Sequence, residues 1–266
     1  MLSYQHAYHA GNLADVHKHA LLALVLDYMV RKPKPLTYME THAGRGLYDL
    51  GSKEAKKTGE AAAGVAKLLE WFPANHPYAR AVERVRREHG ADAYPGSPLV
   101  AYEMLQHVDR SGDRLQLAEL HPQEHAALQE AMPRSGVHIY KEDGFPWAAR
   151  LCPPTPRRGV MMIDPSYELE HDFSGIGSFL PGLHTLWPVG VIMLWYPILE
   201  DGGHEIMVDE LEEAGFEETL HHEVRFKATG ANHRLRGSGM FVINPPYTLK
   251  DEAKKVSAIF QKALLA

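Results

Sequence analysis

The sequence predicts an α/β protein built on a doubly wound, mainly parallel sheet. Short strand-like runs alternate with helix-patterned segments from Leu36 to Pro197, the signature of strand–helix–strand units with right-handed crossovers. Val160-Met161-Met162-Ile163 is apolar without alternation, as expected of a central parallel strand covered on both faces. That run stops abruptly at Asp164-Pro165-Ser166-Tyr167, and other strand candidates also stop at an acid or a glycine, where such sheets present their functional groups.

Taken in order, Val16, Ala20, Ala23, Leu24 and Tyr28 recur at helical spacing between Asp15 and Val30, with Asn12 or Asp15 as the N-cap and Pro33 closing the segment. Ahead of this helix, Tyr4, His6, Tyr8, His9, Gly11 and Asn12 form a polar-aromatic arm, either a surface tail or a substrate-contacting element. Leu36 to Glu40 reads as a first strand running into Thr41-His42-Ala43-Gly44-Arg45-Gly46, whose glycines let the backbone approach a ligand. The loop lacks the third glycine of a dinucleotide fingerprint, so it gains weight only from features downstream. Residues 53–90 are Ala-rich and charged, with Ala61, Val65, Leu68 and Leu69 and then Tyr78, Val82 and Val85 at helical spacing. This exceeds an ordinary connection and predicts a small helical insertion, 53–90, in a domain formed by 1–52 and 91–266.

Tyr94-Pro95-Gly96-Ser97-Pro98 reads as a turn, and Leu99 to Val108 as a helix. Leu115 to Leu120 is the second strand; Glu119 ends it, and His121-Pro122 opens the next helix. A carboxylate there suits ribose hydroxyls, although a helix-capping glutamate would look the same. Val137 to Tyr140 is a third strand ending at Lys141-Glu142-Asp143-Gly144. After the proline-rich Arg150 to Arg158 linker and the Val160 run, Val189 to Pro197 is a fifth strand. Met207 to Ala214 is an acidic amphipathic helix, Thr219 to Phe226 a strand, and Met240 to Ile243 the last strand, entering Asn244-Pro245-Pro246-Tyr247. Arg225, Lys227, His233, Arg234 and Arg236 mark a basic loop before it, either a solvated hairpin or a phosphate contact.

Composition narrows the function classes. The 266 residues, 45% hydrophobic and 23% charged, suffice for a full globular core. A formal charge of −6 argues against a wholesale nucleic-acid coat but not against local basic patches such as Arg80 to Arg87. A single cysteine, Cys152, excludes an internal disulfide and a thiolate metal cluster. The seventeen histidines include no His-Glu-x-x-His motif, and His17 and His19 face different sides of a helix, so no metal is expected. No secretory pattern opens the chain, and the longest apolar stretch, Ala20 to Leu26, is far short of the roughly 20 residues of a membrane span. The expectation is a cytoplasmic monomer without a membrane partner.

Asp164-Pro165-Ser166-Tyr167 and Asn244-Pro245-Pro246-Tyr247 both resemble the Asp/Asn-Pro-Pro-Tyr signature of methyltransferases that act on planar amino groups. Asp164 is favoured because it follows the fourth strand, beside the glycine loop, whereas Asn244 follows the last. The exocyclic amine of adenine is a poor nucleophile because its lone pair is delocalised into the ring. An acceptor pair, the Asp164 carboxylate and the Pro165 carbonyl, can draw its N–H groups out of conjugation, and Tyr167 offers a face for stacking the base.

Beyond this signature, His9-Ala10-Gly11-Asn12-x-Ala14-Asp15-Val16-x-Lys18-His19, Thr41-His42-Ala43-Gly44, Tyr94-Pro95-Gly96-Ser97-Pro98, Glu119-Leu120-His121-Pro122, Asp143-Gly144-Phe145 and the Asp164 tetrapeptide together resemble the ribosomal RNA large subunit methyltransferase J family. The likeness runs from Met1-Leu2-Ser3-Tyr4 to Asn244-Pro245-Pro246. It implies a class I, Rossmann-like methyltransferase that uses S-adenosylmethionine to methylate adenine N6 in 23S ribosomal RNA. It also implies cofactor contacts at His19, His42, Ser97, Glu119, Asp143 and Gly144, beside the Gly44 loop, with Asp164 catalytic. Tyr4 is implied to meet the substrate, and Lys18 to belong to the active-site motif before the first helix. Ser166 stands where the family has a second proline; the change leaves the Asp164 carboxylate and the Pro165 carbonyl intact. A DNA adenine methyltransferase would share these motifs. A protein-glutamine methyltransferase more often has Asn at the Asp164 position, and an inactive RNA-binding homologue would have Ser166 as its lesion.

Overall fold

The computed structural model describes residues 6–106, 111–133, 135–167, 171–227 and 235–265. In chain order the helices are α1 (Leu13–Val30), α2 (Lys53–Thr58), α3 (Glu60–Ala63), α4 (Val65–Leu68), α5 (Pro77–His89), α6 (Ser97–Gln106), α7 (Pro122–Ala131), α8 (Gly144–Leu151), α9 (His171–Leu186), α10 (Glu205–Glu213) and α11 (Leu249–Leu265). The strands are β1 (Thr37–Glu40), β2 (Leu47–Asp49), β3 (Ala93–Pro95), β4 (Arg114–Ala118), β5 (Val137–Tyr140), β6 (Gly159–Ile163), β7 (Val191–Leu199), β8 (Thr219–Arg225) and β9 (Leu235–Ile243).

Seven strands form one sheet in the order β5-β4-β1-β6-β7-β9-β8. The five from β5 to β7 run parallel, and β9 is antiparallel to both β7 and β8. All seven strands expected from the sequence are in it. From β1 the chain winds outward through β4 and β5, then returns to place β6 on the other side of β1. A crevice opens at that reversal, outside the carboxyl ends of β1 and β6.

The unalternating apolar run is explained by two cores. Val160 and Met162 enter a core shared with α1, α5, α6 and α11, whereas Met161 and Ile163 enter one shared with α8, α9 and α10. Helix α1 lies in the first core and is buried on nearly every side, including its polar residues Asp15, His17, Lys18 and His19. Buried polar groups persist only with partners, so this helix must carry an internal polar network.

The Tyr94–Pro98 segment is more than a turn. Ala93–Pro95 pairs antiparallel with Leu47–Asp49, a two-stranded ribbon too short to leave a periodic signal, and Ser97 already begins α6. Within 53–90, α5 sends Tyr78, Val82 and Val85 into the first core, and the Gly64–Val65 step clasps the N-terminal arm, Val65 N–H donating to the Gly11 carbonyl at 2.7 Å. A Cβ on Gly64 would lie 2.1 Å from that carbonyl oxygen, so only glycine permits the approach. The Arg80–Arg87 run is partly consumed internally, Arg80 pairing with Asp27 at 3.1 Å and Arg84 with Glu103 at 2.7 Å. Of the basic loop, His233 and Arg234 lie outside the described residues, and Arg236 is already in β9, paired with Glu200. Among the described residues no helix is long and apolar enough to cross a membrane.

Candidate active site

A cavity of about 640 Å³ opens at the reversal point. Lys18, His19, His42, Gly44, Ser97, Glu119, Asp143, Gly144, Asp164, Pro165 and Tyr167 all line it. Tyr4 lies outside the described residues. The arm is no free tail in its described part: His6, His9 and Asn12 form part of the wall.

Asp164 stands one residue beyond β6. Its Oδ2 accepts a 2.6 Å hydrogen bond from Lys18 Nζ, which also pairs with Asp15 Oδ1 at 3.0 Å. Lys18 projects from the first turns of α1, started by Asn12, whose Oδ1 accepts from the Asp15 N–H. Burial alone would lower the Lys18 pKa, but the charges of Asp164 and Asp15 outweigh it and hold the pKa above its ordinary value. Burial would likewise raise the Asp15 pKa; His6 and Lys18 instead hold it well below the carboxylate range. Asp15 therefore offsets the Lys18 charge, and the triad Asp15–Lys18–Asp164 keeps one net negative charge, on the cavity side.

Tyr167 has φ 51°, a left-handed conformation costly for an aromatic residue. Its hydroxyl donates to the Trp195 carbonyl at 2.7 Å, and its ring packs on Phe173 with centroids 4.5 Å apart. Asn244, by contrast, donates its side-chain N–H groups to the Pro188 and Gly190 carbonyls, before β7 begins. Because β9 runs antiparallel, its tetrapeptide emerges at the amino-terminal end of the parallel strands, the opposite end from the cavity.

On the other side of the cavity, Glu119 accepts from Gly44 N–H at 2.8 Å and from His121 N–H at 2.7 Å, so its carboxylate is fixed by two backbone donors. Burial raises its pKa despite them. Gly44 has φ +61°, and a Cβ there would meet the Tyr48 hydroxyl at 2.7 Å. Asp143 caps α8 through the Phe145 N–H at 3.0 Å. The next residue, Gly144, packs so tightly on the β1 loop that a Cβ would fall 2.0 Å from the Thr41 carbonyl oxygen. His42 bonds the Thr41 hydroxyl at 2.8 Å and meets Phe145 edge-on. His19 is buried; its Nδ1 pairs with the Tyr94 hydroxyl at 2.9 Å, which in turn meets the Tyr78 hydroxyl of α5 at 3.2 Å. Burial pushes the His19 pKa down to about 3, so the ring is neutral, and its buried Nε2 has no protein partner.

Several participants had weak or no sequence signals. Glu40 ends β1 as Glu119 follows β4, a parallel that could have marked it, and it accepts from the Tyr38 hydroxyl at 2.8 Å and from the Ser97 hydroxyl. Burial raises its pKa to about 8. Asp15, a candidate cap and motif residue in the sequence with no role of its own, is the counter-charge of Lys18. Glu60, in the middle of the Ala-rich segment, bonds both His9 and Asn12 and joins the cavity wall. Trp195 lines the cavity from within a strand that reads simply as hydrophobic.

Residues 33–266 match the family described as ribosomal RNA large subunit methyltransferase D, RlmJ. The chain is 36% identical to ribosomal RNA large subunit methyltransferase J of Escherichia coli over 260 residues, covering 96% of this chain and 91% of the relative. It is 34% identical to the Haemophilus influenzae protein of the same name over 270 residues, covering 100% and 95%. The crystal structure of protein LPL1258 from Legionella pneumophila superposes with a TM-score of 0.86 at 33% identity, covering 96% of this chain and 94% of that one. By fold, by the residues gathered at the sheet reversal and by these matches, the chain belongs to the ribosomal RNA large subunit methyltransferase J family.

Proposed function

We propose that this protein transfers a methyl group from S-adenosylmethionine to the N6 amine of an adenine in 23S ribosomal RNA. The observation that carries the reading is Asp164-Pro165-Ser166-Tyr167 at the carboxyl end of a central strand, facing a cavity walled opposite by Glu119 and the Gly44 loop. The relatives' names supply the substrate class. Asp164, Pro165 and Tyr167 form the reacting side; His19, His42, Gly44, Ser97, Glu119, Asp143 and Gly144 hold the cofactor; Lys18 and Tyr4 serve the substrate side. The residues present suit this cofactor. Glu119 is an oriented carboxylate able to accept from ribose hydroxyls, Gly44 and Gly144 keep the loops clear of Cβ atoms, and His19 Nε2 is a buried polar atom awaiting a partner.

When bound, S-adenosylmethionine supplies a methyl group on a sulfonium. The protein supplies position and charge. The target amine donates one N–H to the Asp164 carboxylate, whose Oδ2 is already engaged by Lys18, so that Oδ1 faces the base. It donates the other to the Pro165 carbonyl, and the two bonds draw the nitrogen out of conjugation. As the nitrogen acquires the methyl as its fourth substituent it becomes cationic, and the net negative charge of the Asp15–Lys18–Asp164 triad stabilises it. Asp164 then accepts the surplus proton before it passes to water. Tyr167, anchored to Trp195, closes the aromatic wall beside the base.

We further propose that 53–90 is a helical insertion in a methyltransferase domain of 1–52 and 91–266, and that the protein acts as a cytoplasmic monomer. The decisive experiment is methyl transfer to unmodified large-subunit RNA and to DNA of the same sequence, with wild type and Asp164→Ala, followed by nucleoside analysis. N6-methyladenosine in RNA alone, lost in the variant, is the expected result. Full activity of Asp164→Ala, or preference for DNA, overturns the assignment. Absence of S-adenosylmethionine binding by calorimetry favours an inactive RNA-binding homologue.

A further inference from the structure

We propose that Trp195 is a positioning residue for the methyl-transfer centre, its indole fixed by a hydrogen-bonded chain that runs from buried Ser238 and His17 to half-buried His222 and Ser257. The inference rests on the role proposed above for Asp164.

Trp195 touches both halves of the reacting side. Its ring lies 5.3 Å from Lys18 Nζ, with the ammonium over the aromatic face, and its backbone carbonyl anchors the Tyr167 hydroxyl at 2.7 Å. Lys18 is thus held at three points, Asp15, Asp164 and the indole face, and this ammonium aims the Asp164 carboxylate. A flexible four-carbon chain with only two carboxylates in reach could settle in several geometries; a π face on a third side selects one.

The indole is itself locked. Its N–H donates to Ser238 Oγ at 2.9 Å, from the neighbouring strand β9. Ser238 Oγ lies 2.8 Å from His17 Nδ1, His17 Nε2 lies 2.8 Å from His222 Nδ1, and His222 Nε2 lies 2.7 Å from Ser257 Oγ. One direction of donation satisfies every atom: the Ser238 hydroxyl to His17, His17 Nε2–H to His222, and His222 Nε2–H to Ser257, both rings neutral. His17 immediately precedes Lys18 on α1, His222 is on β8 and Ser257 on α11. With Ser238 on β9, the chain therefore ties four separate elements to one indole orientation. Such a run of mutually satisfied polar groups, buried at the indole end, fixes geometry more sharply than apolar packing alone.

The test is site-specific incorporation of mono-, di- and trifluorinated tryptophan at position 195, which weakens the negative ring face stepwise while preserving shape and N–H. The turnover rate on RNA is expected to fall in proportion to the cation affinity of the ring, by roughly tenfold across the series. The KM for S-adenosylmethionine and the thermal midpoint are expected to stay constant. In parallel, Ser238→Ala lowers turnover and Ser238→Thr, which retains a hydroxyl, restores it; the fluorinated series decides the matter if Ser238→Ala does not fold. A flat rate across the series, or a fall matched by lost thermal stability, overturns the proposal. If Asp164→Ala is inactive and the series is flat, the role of Trp195 fails alone; if Asp164→Ala is fully active, the functional reading fails first.

Discussion

Glu40 offers a sharp test of the buried electrostatics beneath the cavity. The carboxyl group has no access to solvent and faces the Tyr38 and Ser97 hydroxyls, and burial lifts its pKa from an ordinary 4.5 to about 8. A carboxyl group with a raised folded pKa stabilises the fold most below its unfolded value and loses that contribution as pH rises through the folded one. At about 1.4 kcal/mol per pH unit, the interval from 4.5 to about 8 makes ionised Glu40 roughly 5 kcal/mol worse than the neutral acid. Glu40→Gln mimics the neutral acid in shape and hydrogen bonding. Thermal unfolding at pH 5, just above the unfolded value, should give midpoints within about 3 °C for the two proteins. At pH 9 the variant should be the more stable by about 10–20 °C, since 1 kcal/mol moves the midpoint of a chain this long by roughly 2–4 °C. Other titrating groups are common to both proteins and cancel in the difference. Parallel midpoint curves from pH 5 to 9 would show that Glu40 is ionised throughout and refute the burial argument.

The remaining tests address the loops and the histidines. Gly144→Ala must push the α8 start away from the Thr41 carbonyl; it should cost about 1–3 kcal/mol of stability and weaken S-adenosylmethionine binding, and calorimetry showing wild-type affinity would disprove that packing role. Burial lowers the pKa of both His17 and His19, the latter to about 3, whereas the unfolded chain protonates them near 6.5, so their contribution is complete above pH 6.5 and is lost as pH falls below it. In the Glu40→Gln background, urea unfolding should show stability declining from pH 7 to 5, and His17→Asn should shallow the slope; a flat profile contradicts the neutral rings. Ser166 is the exposed third residue of the Asp164–Tyr167 tetrapeptide, and Ser166→Pro should leave cofactor binding and the order of magnitude of turnover unchanged. A large gain in rate would identify Ser166 as a defect in the turn.

The strands of the sheet were legible because their signals are local. Val160 to Ile163 is apolar at every position since its side chains alternate into two cores, and each strand that ends at the cavity stops at a residue type unsuited to a core, such as Asp164 or Glu119. The motif residues could be named for the same reason: each sits at a fixed offset from a strand or helix end. Pairing between distant segments left no such trace. Neither the Leu47–Asp49 and Ala93–Pro95 ribbon nor the Glu60 clasp on the arm has a period, because each joins residues about fifty apart in the chain through two or three contacts. The sequence by itself determined the order of strands and helices and the kinds of chemical group at their ends, through periodicity and residue type. Only the tertiary structure decided which groups meet. It buried α1 on nearly every side, set Lys18 between Asp15 and Asp164, and brought Trp195 over that ammonium, because long-range packing alone chooses which partners satisfy a buried charge.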